Sequence, residues 1–473
     1  MPTLLKKTKI VATIGPVTEN AKILTELALS GMNVMRLNFS HGDFAEHQKR
    51  VDLWKAVAKK TNLTLAILQD LGGPKIRIGN FSTESIILKA GNKFTLTTNK
   101  IIGDDKKVFV NYPKLPKEVK AGNIILLEDG KKSLQVLKVS GKEIECKILV
   151  GGEIKGRRGV NVPGANLSIS SITEKDRADI AFGIKNKVDF IALSFVRRAE
   201  DILELKRMLK NKSNASVIAK IETQEAVENI DDIIKVADGI MVARGDLAIE
   251  TPAEKVPSVQ KMIIKKCNDA GKPVITATQM LESMIENTVP TRAEVSDIAN
   301  AILDGTDAIM LSGESTLGKY PLEAVKIMTK VALEVEKNYP EREALNGHRK
   351  GQVDITDSVT GSVVNTAHDV GAKFIFALTE TGFTARMISR YKPSPMIITL
   401  SPNEEALRKI ALSFGSLPFK INRFKTLGEA LQVVRKFCLD KKMAKKGDRV
   451  VIAAGAPFNK KTQSTNMILV EEI

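Results

Sequence analysis

Eight short apolar segments alternate with longer amphipathic stretches over residues 9–311, and this alternation constrains the fold more than any other feature. Short apolar runs followed by helical periodicity are typical of parallel strands whose connections are helices. The predicted strands are Lys9–Ile14, Val34–Phe39, Leu65–Asp70, Phe190–Phe195, Val217–Glu222, Gly239–Ala243, Val274–Thr278 and Ala308–Leu311. The predicted helices are Asn20–Ser30, Ala45–Lys60, Glu174–Lys185, Glu200–Lys210, Thr223–Val236, Val256–Ala270 and Arg292–Leu303. Eight strand–helix units predict an α/β fold of the TIM (β/α)8 barrel type.

Residues 74–168 interrupt the alternation after the third strand. Helical periodicity disappears there, and short apolar runs are separated by Gly, Asn and Asp turns, which predicts a small β-barrel domain. Its predicted strands are Ser85–Leu88, Phe94–Thr97, Ile124–Leu127, Leu134–Val139 and Glu143–Leu149. A domain inserted at this point would sit above the barrel mouth and could close as a lid. The barrel is then assigned to residues 1–73 and 169–340.

A polar stretch over residues 341–352 reads as a linker to a C-terminal α/β domain at residues 353–473. This C-terminal domain is predicted from the helices Ser358–Val370 and Thr384–Tyr391 and the strands Phe374–Leu378, Met396–Leu400, Val450–Ala453 and Met467–Val470.

The composition is that of a globular protein with an excess of positive charge, +17 overall, and only 4% aromatic residues. The lysines are scattered among acids, so we interpret them as solvated surface charge; attraction of anionic substrates is an alternative, and nucleic-acid binding is disfavoured. Three widely spaced cysteines, Cys146, Cys267 and Cys438, argue against a disulfide framework or a zinc site. No apolar run approaches the roughly 20 residues of a membrane helix, and no signal segment is evident. We therefore expect a cytoplasmic protein with no membrane or nucleic-acid partner.

Polar side chains gather where the predicted strands end, which is where barrel enzymes place their active sites. Lys220 and Glu222 project from the same face of the fifth strand because side chains alternate with period two. Asp246 follows the sixth strand. Two carboxylates can hold a magnesium ion while a lysine neutralises a phosphoryl group, so this edge predicts phosphate chemistry.

Several segments, taken together and in order, resemble the pyruvate kinase family from about residue 8 to the C-terminus. The matching stretches are Lys9–Pro16, Gly31–Gly42, Gly73–Arg77, Lys220–Glu222, Gly239–Leu247, Ala277–Met284 and Leu311–Glu314. The family fold is a barrel, a β lid inserted after the third strand and a C-terminal α/β domain, which matches the organisation predicted above.

The resemblance implies roles for the residues at the strand ends. Glu222 and Asp246 would be ligands of Mg²⁺ or Mn²⁺, and Lys220 would contact the transferring phosphoryl group and the enolate oxygen. The alternatives are a pair of exposed acids and a solvated lysine. Arg36 would hold the phosphate of phosphoenolpyruvate, a use suited to the guanidinium fork, unless it pairs with a barrel acid.

Two further positions would complete the substrate site. Gly245 would let the substrate carboxylate approach backbone N–H groups at the start of a short helix that includes Asp246. Thr278 would lie near the carbon that is protonated and orient a water or a proton relay; its role as the donor itself is open. The alternative for Thr278 is a core threonine whose hydroxyl is satisfied by backbone.

On the nucleotide side, the resemblance implies that Asn38, His41, Arg77 and Arg158 meet the phosphates of ADP. Arg158 departs from the family pattern, since many members carry lysine there; the charge is kept but the geometry is not. His41 could equally be a hydrogen-bonding residue of the rim.

The largest departure lies between Asp70 and Arg77. Many members read Asp-Thr-Lys-Gly-Pro-Glu-Ile-Arg there and bind potassium through positions matching Asn38, Ser40, Asp70 and the Leu71 carbonyl. This chain has Lys75 in place of the glutamate. A tethered ammonium can occupy the electrostatic position of K⁺, so we hypothesise that potassium is not required. The alternative is a solvated Lys75 with potassium still bound.

The C-terminal domain carries a loop that resembles the family's effector loop for phosphorylated metabolites. Its phosphate-binding candidates are Thr379, Thr381, Gly382 and Thr384. The last loop has Lys460 and Lys461 but no Trp or Arg, so the pattern for a sugar bisphosphate is incomplete. A purely structural turn is the alternative. The family is usually homotetrameric, and a tetramer is expected here.

The resulting prediction is pyruvate kinase activity, in which phosphoenolpyruvate phosphorylates ADP to give pyruvate and ATP in glycolysis. One alternative is another Mg²⁺-dependent barrel enzyme of phosphoenolpyruvate or pyruvate, such as a lyase. The other is a catalytically silent paralogue that binds a protein or a nucleic acid. Intact Lys220, Glu222, Asp246, Arg36 and Thr278 speak against the second alternative.

Overall fold

The structure is a computed structural model that describes residues 6–165, 167–340, 354–457 and 464–473. The predicted linker at 341–352 lies outside these residues, as do Lys460 and Lys461.

Strands and helices are numbered along the chain. The strands are β1 Lys9–Thr13, β2 Val34–Asn38, β3 Ala66–Asp70, β4 Ser85–Leu88, β5 Lys93–Thr97, β6 Lys107–Phe109, β7 Ile124–Leu127, β8 Lys132–Ser140, β9 Glu143–Val150, β10 Gly152–Lys155, β11 Val160–Asn161, β12 Phe190–Leu193, β13 Ser216–Ile221, β14 Gly239–Ala243, β15 Val274–Ala277, β16 Ala308–Leu311, β17 Phe374–Leu378, β18 Met396–Ser401, β19 Ser416–Lys420, β20 Arg449–Ala454 and β21 Met467–Glu472.

The α-helices are α1 Ala21–Leu29, α2 Phe44–Thr61, α3 Leu115–Glu118, α4 Glu174–Asn186, α5 Ala199–Leu209, α6 Gln224–Glu228, α7 Ile230–Val236, α8 Arg244–Glu250, α9 Val256–Asp269, α10 Arg292–Leu303, α11 Gly313–Thr316, α12 Pro321–Val335, α13 Ile355–Asp369, α14 Phe383–Ser389, α15 Glu404–Lys409 and α16 Leu427–Asp440.

The eight predicted barrel strands form a closed parallel barrel in the order β1-β16-β15-β14-β13-β12-β3-β2. All pairs are parallel, so every strand ends at the same edge. The register aligns Thr13 with Arg36 and Asn38 with Asp70, which brings the polar ends of β1, β2 and β3 together. The prediction of a TIM barrel with a C-terminal α/β domain is confirmed.

Five helices around the barrel, α1, α2, α4, α6 and α10, begin after a residue whose side chain accepts from a free N–H group of the first turn. Asn20 Oδ1 accepts from the Ile23 amide at 2.9 Å before α1. Thr173 and Asp176 exchange hydrogen bonds in a capping box before α4. These contacts fix the residue at which each helix begins, and so they fix where the preceding loop of the polar rim ends.

The inserted region folds as β-structure with a core of its own. Six strands form a sheet in the order β11-β7-β8-β9-β5-β6, and β10 pairs with β4 in a separate two-stranded sheet. Phe94, Leu96 and Ile144 are fully buried in the core of this region. The domain limits given above stay predictions.

The C-terminal region is a five-stranded sheet in the order β19-β18-β17-β20-β21, in which only β21 is antiparallel. Its segment at Ala411 and Leu412 belongs to the same buried cluster as the interior of the barrel. A buried ion pair joins the two units, with Lys392 Nζ 2.7 Å from Asp307 Oδ1. The C-terminal region thus closes the barrel end opposite the polar rim.

Some element predictions were wrong in detail. The helix predicted over Thr223–Val236 is two helices, α6 and α7, because Asn229 leaves the helical conformation and donates to the Arg197 carbonyl. α12, α15, α16 and the strand β19 were not predicted. No helix among the described residues is long and apolar enough to cross a membrane.

Candidate active site

Lys220 lies at the end of β13 and is held by three oxygen atoms. Its Nζ is 2.8 Å from Glu222 Oε1 and 3.2 Å from Asp70 Oδ1, and it donates to Ser194 Oγ at 2.7 Å. Burial alone would lower the pKa of Lys220, but the carboxylates of Asp70 and Glu222 raise it above its usual value. The ammonium therefore stays charged at any physiological pH. It is not the solvated lysine of the alternative interpretation.

Arg36 forms the ion pair that the alternative interpretation proposed. Its Nε donates to Asp70 Oδ2 at 2.7 Å and its Nη1 donates to Thr13 Oγ1 at 2.7 Å. Burial opposes ionisation of Asp70, yet Lys220 and Arg36 lower its pKa. A guanidinium has five N–H donors, so this ion pair leaves donors available for a substrate anion.

Glu222 and Asp246 lie on the other side of Lys220, and their environments differ. Glu222 is buried, and its Oε2 accepts from the Phe195 amide at 2.7 Å. Burial and then the charge of Glu222 raise the pKa of Asp246 to about 6. Two neighbouring carboxylates that repel each other fit a divalent cation, and Mg²⁺ commonly uses one or two carboxylates with waters and phosphate. No cluster of three or more His, Cys, Asp or Glu able to hold a metal occurs in the described ranges.

Thr278 is half-buried at the same edge and has a left-handed backbone, with φ +67°. Its hydroxyl accepts from the Gly245 amide at 2.8 Å and donates to the Ala277 carbonyl at 2.7 Å. Arg244 Nη2 donates to the Thr278 carbonyl at 2.7 Å and so holds the segment. Thr278 is only partly buried, but both partners of its hydroxyl are backbone groups, as in the alternative interpretation of this residue.

A cleft of about 690 Å³ separates the inserted β region from the barrel rim. Lys75, Arg77, Arg158 and Asp246 line it. Arg77 donates to the Arg157 carbonyl at 3.0 Å, and Arg158 Nε is 3.3 Å from Glu128. The two predicted nucleotide-side arginines therefore share one cleft with a predicted metal ligand.

Asn38 and His41, the other predicted nucleotide residues, are not among the residues that line this cleft. Asn38 is the last residue of β2, and His41 lies in the turn that follows it. Partial burial, followed by the positive charges of Lys75, Arg77 and Arg36, lowers the pKa of the exposed His41. The imidazole is therefore neutral near pH 7 and able to donate or accept a hydrogen bond.

Asn38 and Asp70, two of the predicted monovalent-cation residues, lie opposite each other on neighbouring strands, but several oxygen atoms of the predicted set already have partners. Asn38 Oδ1 accepts from the Ser40 amide at 3.1 Å, and the Leu71 carbonyl accepts from Ser194 Oγ at 2.7 Å. Both carboxylate oxygens of Asp70 face Arg36 or Lys220, as described above.

Lys75 is exposed at the mouth of the cleft. Desolvation by the cleft walls, with repulsion from Lys220 and Arg77, lowers its pKa, while Asp246 and Glu222 oppose this change. The Lys75 ammonium therefore interacts electrostatically with both predicted metal ligands, Asp246 and Glu222.

The predicted effector loop forms a compact turn before α14. Thr379 Oγ1 accepts from the Gly382 amide at 3.0 Å, and Thr381 Oγ1 accepts from the Phe383 amide at 3.4 Å. Thr384 is buried, and its hydroxyl accepts from Thr465. A cavity of about 50 Å³ adjoins the loop.

Three site residues received no role from the sequence. Ser194 and Phe195 bind Lys220 and Glu222 directly, and Arg197 donates to the Leu167 and Ile169 carbonyls of the chain returning from the inserted region. Ser194 could have been found from the sequence as a polar residue at a strand end. Phe195 and Arg197 could not, because Phe195 acts through its backbone amide and Arg197 contacts a loop that is distant in the sequence.

The fold and the rim define a (β/α)8-barrel enzyme whose strand ends carry a buried lysine, an arginine and two carboxylates. The family models of pyruvate kinase match nearly the whole chain, with the barrel domain over residues 5–325 and the alpha/beta domain over residues 357–471. The chain belongs to the pyruvate kinase family, a family of phosphotransferases.

Individual relatives agree with this assignment. The chain is 48% identical to the pyruvate kinase of Geobacillus stearothermophilus, over 99% of this chain and 80% of that protein. It is 45% identical to the pyruvate kinase of Clostridium perfringens, over 99% of this chain and 100% of that protein. A crystal structure of a pyruvate kinase from Cryptosporidium parvum has a TM-score of 0.95 at 38% identity and covers 99% of this chain and 96% of that one. The prediction of the family from the sequence is confirmed.

Proposed function

We propose that this protein transfers the phosphoryl group of phosphoenolpyruvate to ADP and yields pyruvate and ATP, as a glycolytic enzyme. The observation that carries the proposal is the position of Lys220: a permanently charged ammonium fixed among Asp70, Glu222 and Ser194, at the rim that also bears Arg36 and Asp246.

Lys220 and Arg36 are the groups that meet the anionic substrate. Negative charge spreads over the phosphoryl oxygens and the enolate as the phosphoryl group leaves, and a fixed ammonium stabilises that charge without reorganisation. Arg36 binds the phosphate of phosphoenolpyruvate with the donors that its ion pair with Asp70 leaves available.

Glu222 and Asp246 are the ligands of the divalent cation, Mg²⁺ or Mn²⁺. The ion, when bound, screens the charge of the phosphate groups and helps to align them. Glu222 is held by the Phe195 amide, and Asp246 supplies the less constrained carboxylate. Burial, followed by repulsion from Glu222, raises the pKa of Asp246, and a cation bound between the two acids would relieve that repulsion.

The substrate carboxylate binds at the first turn of α8, beside Gly245 and Asp246. Thr278 supports this turn through its hydrogen bond with the Gly245 amide. In this proposal the hydroxyl of Thr278 orients a water molecule that protonates the enolate.

ADP occupies the cleft between the inserted region and the rim, with its phosphates near Arg77 and Arg158. Asn38 and His41 act from the end of β2. Movement of the inserted region toward the barrel would exclude water, so that ADP and not water receives the phosphoryl group.

Potassium is not required in this proposal, because Lys75 supplies a fixed positive charge. Two observations support it. The Lys75 ammonium interacts electrostatically with Glu222 and Asp246, and the Asp70 carboxylate is already neutralised by Arg36 and Lys220.

The C-terminal loop of Thr379, Thr381, Gly382 and Thr384 is proposed as the site of a phosphorylated effector, and the protein as a cytoplasmic homotetramer. The small cavity beside the loop supports the first proposal. The hydrogen bonds within the loop favour the alternative, a purely structural turn, and an effector would have to replace them.

The function is tested by measuring pyruvate formation from phosphoenolpyruvate with Mg²⁺, in the presence and in the absence of ADP. Pyruvate kinase activity requires ADP. Pyruvate released equally without ADP indicates a different enzyme of phosphoenolpyruvate, and no turnover under either condition indicates a silent paralogue.

A further inference from the structure

The turn that follows β12 contacts both key groups of the rim. Ser194 Oγ accepts from Lys220 Nζ at 2.7 Å, and the next residue, Phe195, donates its amide to Glu222 Oε2 at 2.7 Å. Two adjacent residues therefore fix the ammonium and one carboxylate of the site from a single strand end.

The backbone of this turn is held in a conformation that its sequence does not favour. Phe195 has φ +53°, a left-handed conformation that is unusual and strained for a bulky side chain. Gly73 packs against it so closely that a Cβ there would lie 3.0 Å from both Ser194 Cβ and Phe195 Cδ2. Such conformations persist only where the surroundings impose them, and they are concentrated at functional sites.

The orientation of the Ser194 hydroxyl follows from its two nearest partners, Lys220 Nζ and the Leu71 carbonyl, since the third, Asp70 Oδ1, is 3.5 Å away. Ser194 is 2% exposed, and its Oγ also lies 2.7 Å from the Leu71 carbonyl. A carbonyl oxygen can only accept, and an ammonium can only donate. The hydroxyl proton therefore points to Leu71, and a lone pair points to Lys220.

We infer that Ser194 is a positioning residue, which aims the Lys220 ammonium at the transferring phosphoryl group without touching the substrate. Asp70 and Glu222 attract Lys220 by their charge, and among the described residues only Ser194 supplies it with a neutral acceptor, whose direction is fixed by the hydrogen bond to the Leu71 carbonyl. This inference rests on the proposed function, because it assigns Ser194 an effect on the phosphoryl transfer step.

The test is the steady-state kinetics of Ser194→Ala. The charges of the site are unchanged, so we expect the KM for phosphoenolpyruvate to stay within about threefold, whereas kcat falls about tenfold to a hundredfold because the ammonium is no longer aimed. Ser194→Cys is the second variant: a thiol fills the space and accepts hydrogen bonds only weakly, so kcat is expected to fall similarly in a variant that retains the packing.

Ser389→Ala is the matched control. Ser389 is equally buried at 2%, and its hydroxyl donates to the Phe414 carbonyl at 2.7 Å in the C-terminal region, with no lysine as a partner. Its loss should lower thermal stability by an amount similar to that of Ser194→Ala and leave kcat within about twofold, as expected of a group outside the site.

The inference is overturned if both Ser194 variants keep kcat within about threefold, if their defect lies in KM alone, or if Ser389→Ala loses kcat to the same extent. Failure of the proposed function is a separate result, since the unaltered protein would then form no ATP. A fully active protein with insensitive Ser194 variants contradicts only the positioning role.

Discussion

Two of the three carboxylates around Lys220 have counter-ions in the part of the chain that the structure describes, and the third does not. Arg36 and Lys220 neutralise Asp70 and Glu222, whereas no hydrogen bond or ion pair within the described ranges reaches the Asp246 carboxylate. Burial, and then the charge of Glu222, raise the pKa of Asp246. Because Asp246 has no counter-ion among the described residues, its carboxylate is available to bind a divalent cation together with the substrate, as the proposed function requires.

For individual residues, the sequence predicted which side chains lie at the rim better than it predicted their hydrogen bonds and ion pairs. Lys220 and Glu222 could be placed on one face because strand side chains alternate. The left-handed Phe195, whose amide holds Glu222, could not be predicted, since that conformation depends on Gly73 from a different loop. Asp70 was predicted as a potassium ligand, and its ion pairs with Arg36 and Lys220 emerge only from the register of the barrel strands.

Lys75 gives a prediction on monovalent cations. The unaltered protein is expected to be fully active in a buffer free of K⁺ and NH₄⁺, whereas Lys75→Glu is expected to lose more than about tenfold of its activity and to recover it with KCl, because the fixed charge is gone. The measurement is pyruvate formation in tetramethylammonium buffers, with and without added KCl.

Lys131→Glu is the control for that experiment, because Lys131 lines the same cleft and its substitution makes the same charge change. It should remain independent of potassium. A loss of more than about tenfold in the unaltered protein, restored by KCl, would show that Lys75 does not replace the cation.

At the scale of secondary structure, the barrel was predictable because its strands are continuous apolar runs, all buried on both faces. The short strands β6, β10 and β11 were not, since each has only one or two apolar residues and therefore no apolar run. The break at Asn229 between α6 and α7 was also missed. It depends on a hydrogen bond to the Arg197 carbonyl, which comes from a loop far away in the sequence.

Arg197 connects two elements, the loop after β12 and the chain that returns from the inserted region. Its guanidinium donates to the carbonyls of Leu167 and Ile169 and to Ser171 Oγ. We expect Arg197→Ala to loosen the inserted region and admit water, so that pyruvate formed without ADP rises about tenfold relative to pyruvate formed with ADP. Parallel assays with and without ADP measure this ratio.

The adjacent Arg198 provides the control. It is exposed, and it pairs with Glu225 and not with the returning chain. Arg198→Ala should leave the ratio unchanged. An unchanged ratio in Arg197→Ala would mean that the water exclusion proposed for the inserted region does not depend on this connection.

At the scale of the whole molecule, the C-terminal region is anchored to the end of the barrel opposite the active site. Asp307 accepts from Lys392 and from the Phe414 amide with one oxygen and from the Val274 amide with the other. The sequence predicted both units but not this junction, because a buried ion pair between residues 85 positions apart leaves no local pattern.

Lys392→Met tests the junction. Removing one partner leaves a buried carboxylate without its counter-ion, which typically costs about 3–5 kcal/mol. The midpoint of urea unfolding should fall accordingly. Lys373→Met is the control, since Lys373 makes an ion pair of similar length, 2.8 Å, with Asp448 in a more exposed position. It should cost about 1 kcal/mol or less, and an equal loss in both variants would show that the junction adds no special stability.

The most direct measurement of the account is ³¹P NMR of phosphoenolpyruvate and ADP with Mg²⁺ and the protein. We predict that the phosphoenolpyruvate signal decays as the γ-phosphate signal of ATP grows one for one, and that removing Mg²⁺ with a chelator stops both changes. Lys220→Met is expected to slow the transfer about 100-fold to 1000-fold, because the fixed charge at the phosphoryl group is lost. Phosphoryl groups that appear as inorganic phosphate, or a rate that Lys220→Met leaves unchanged, would contradict the account.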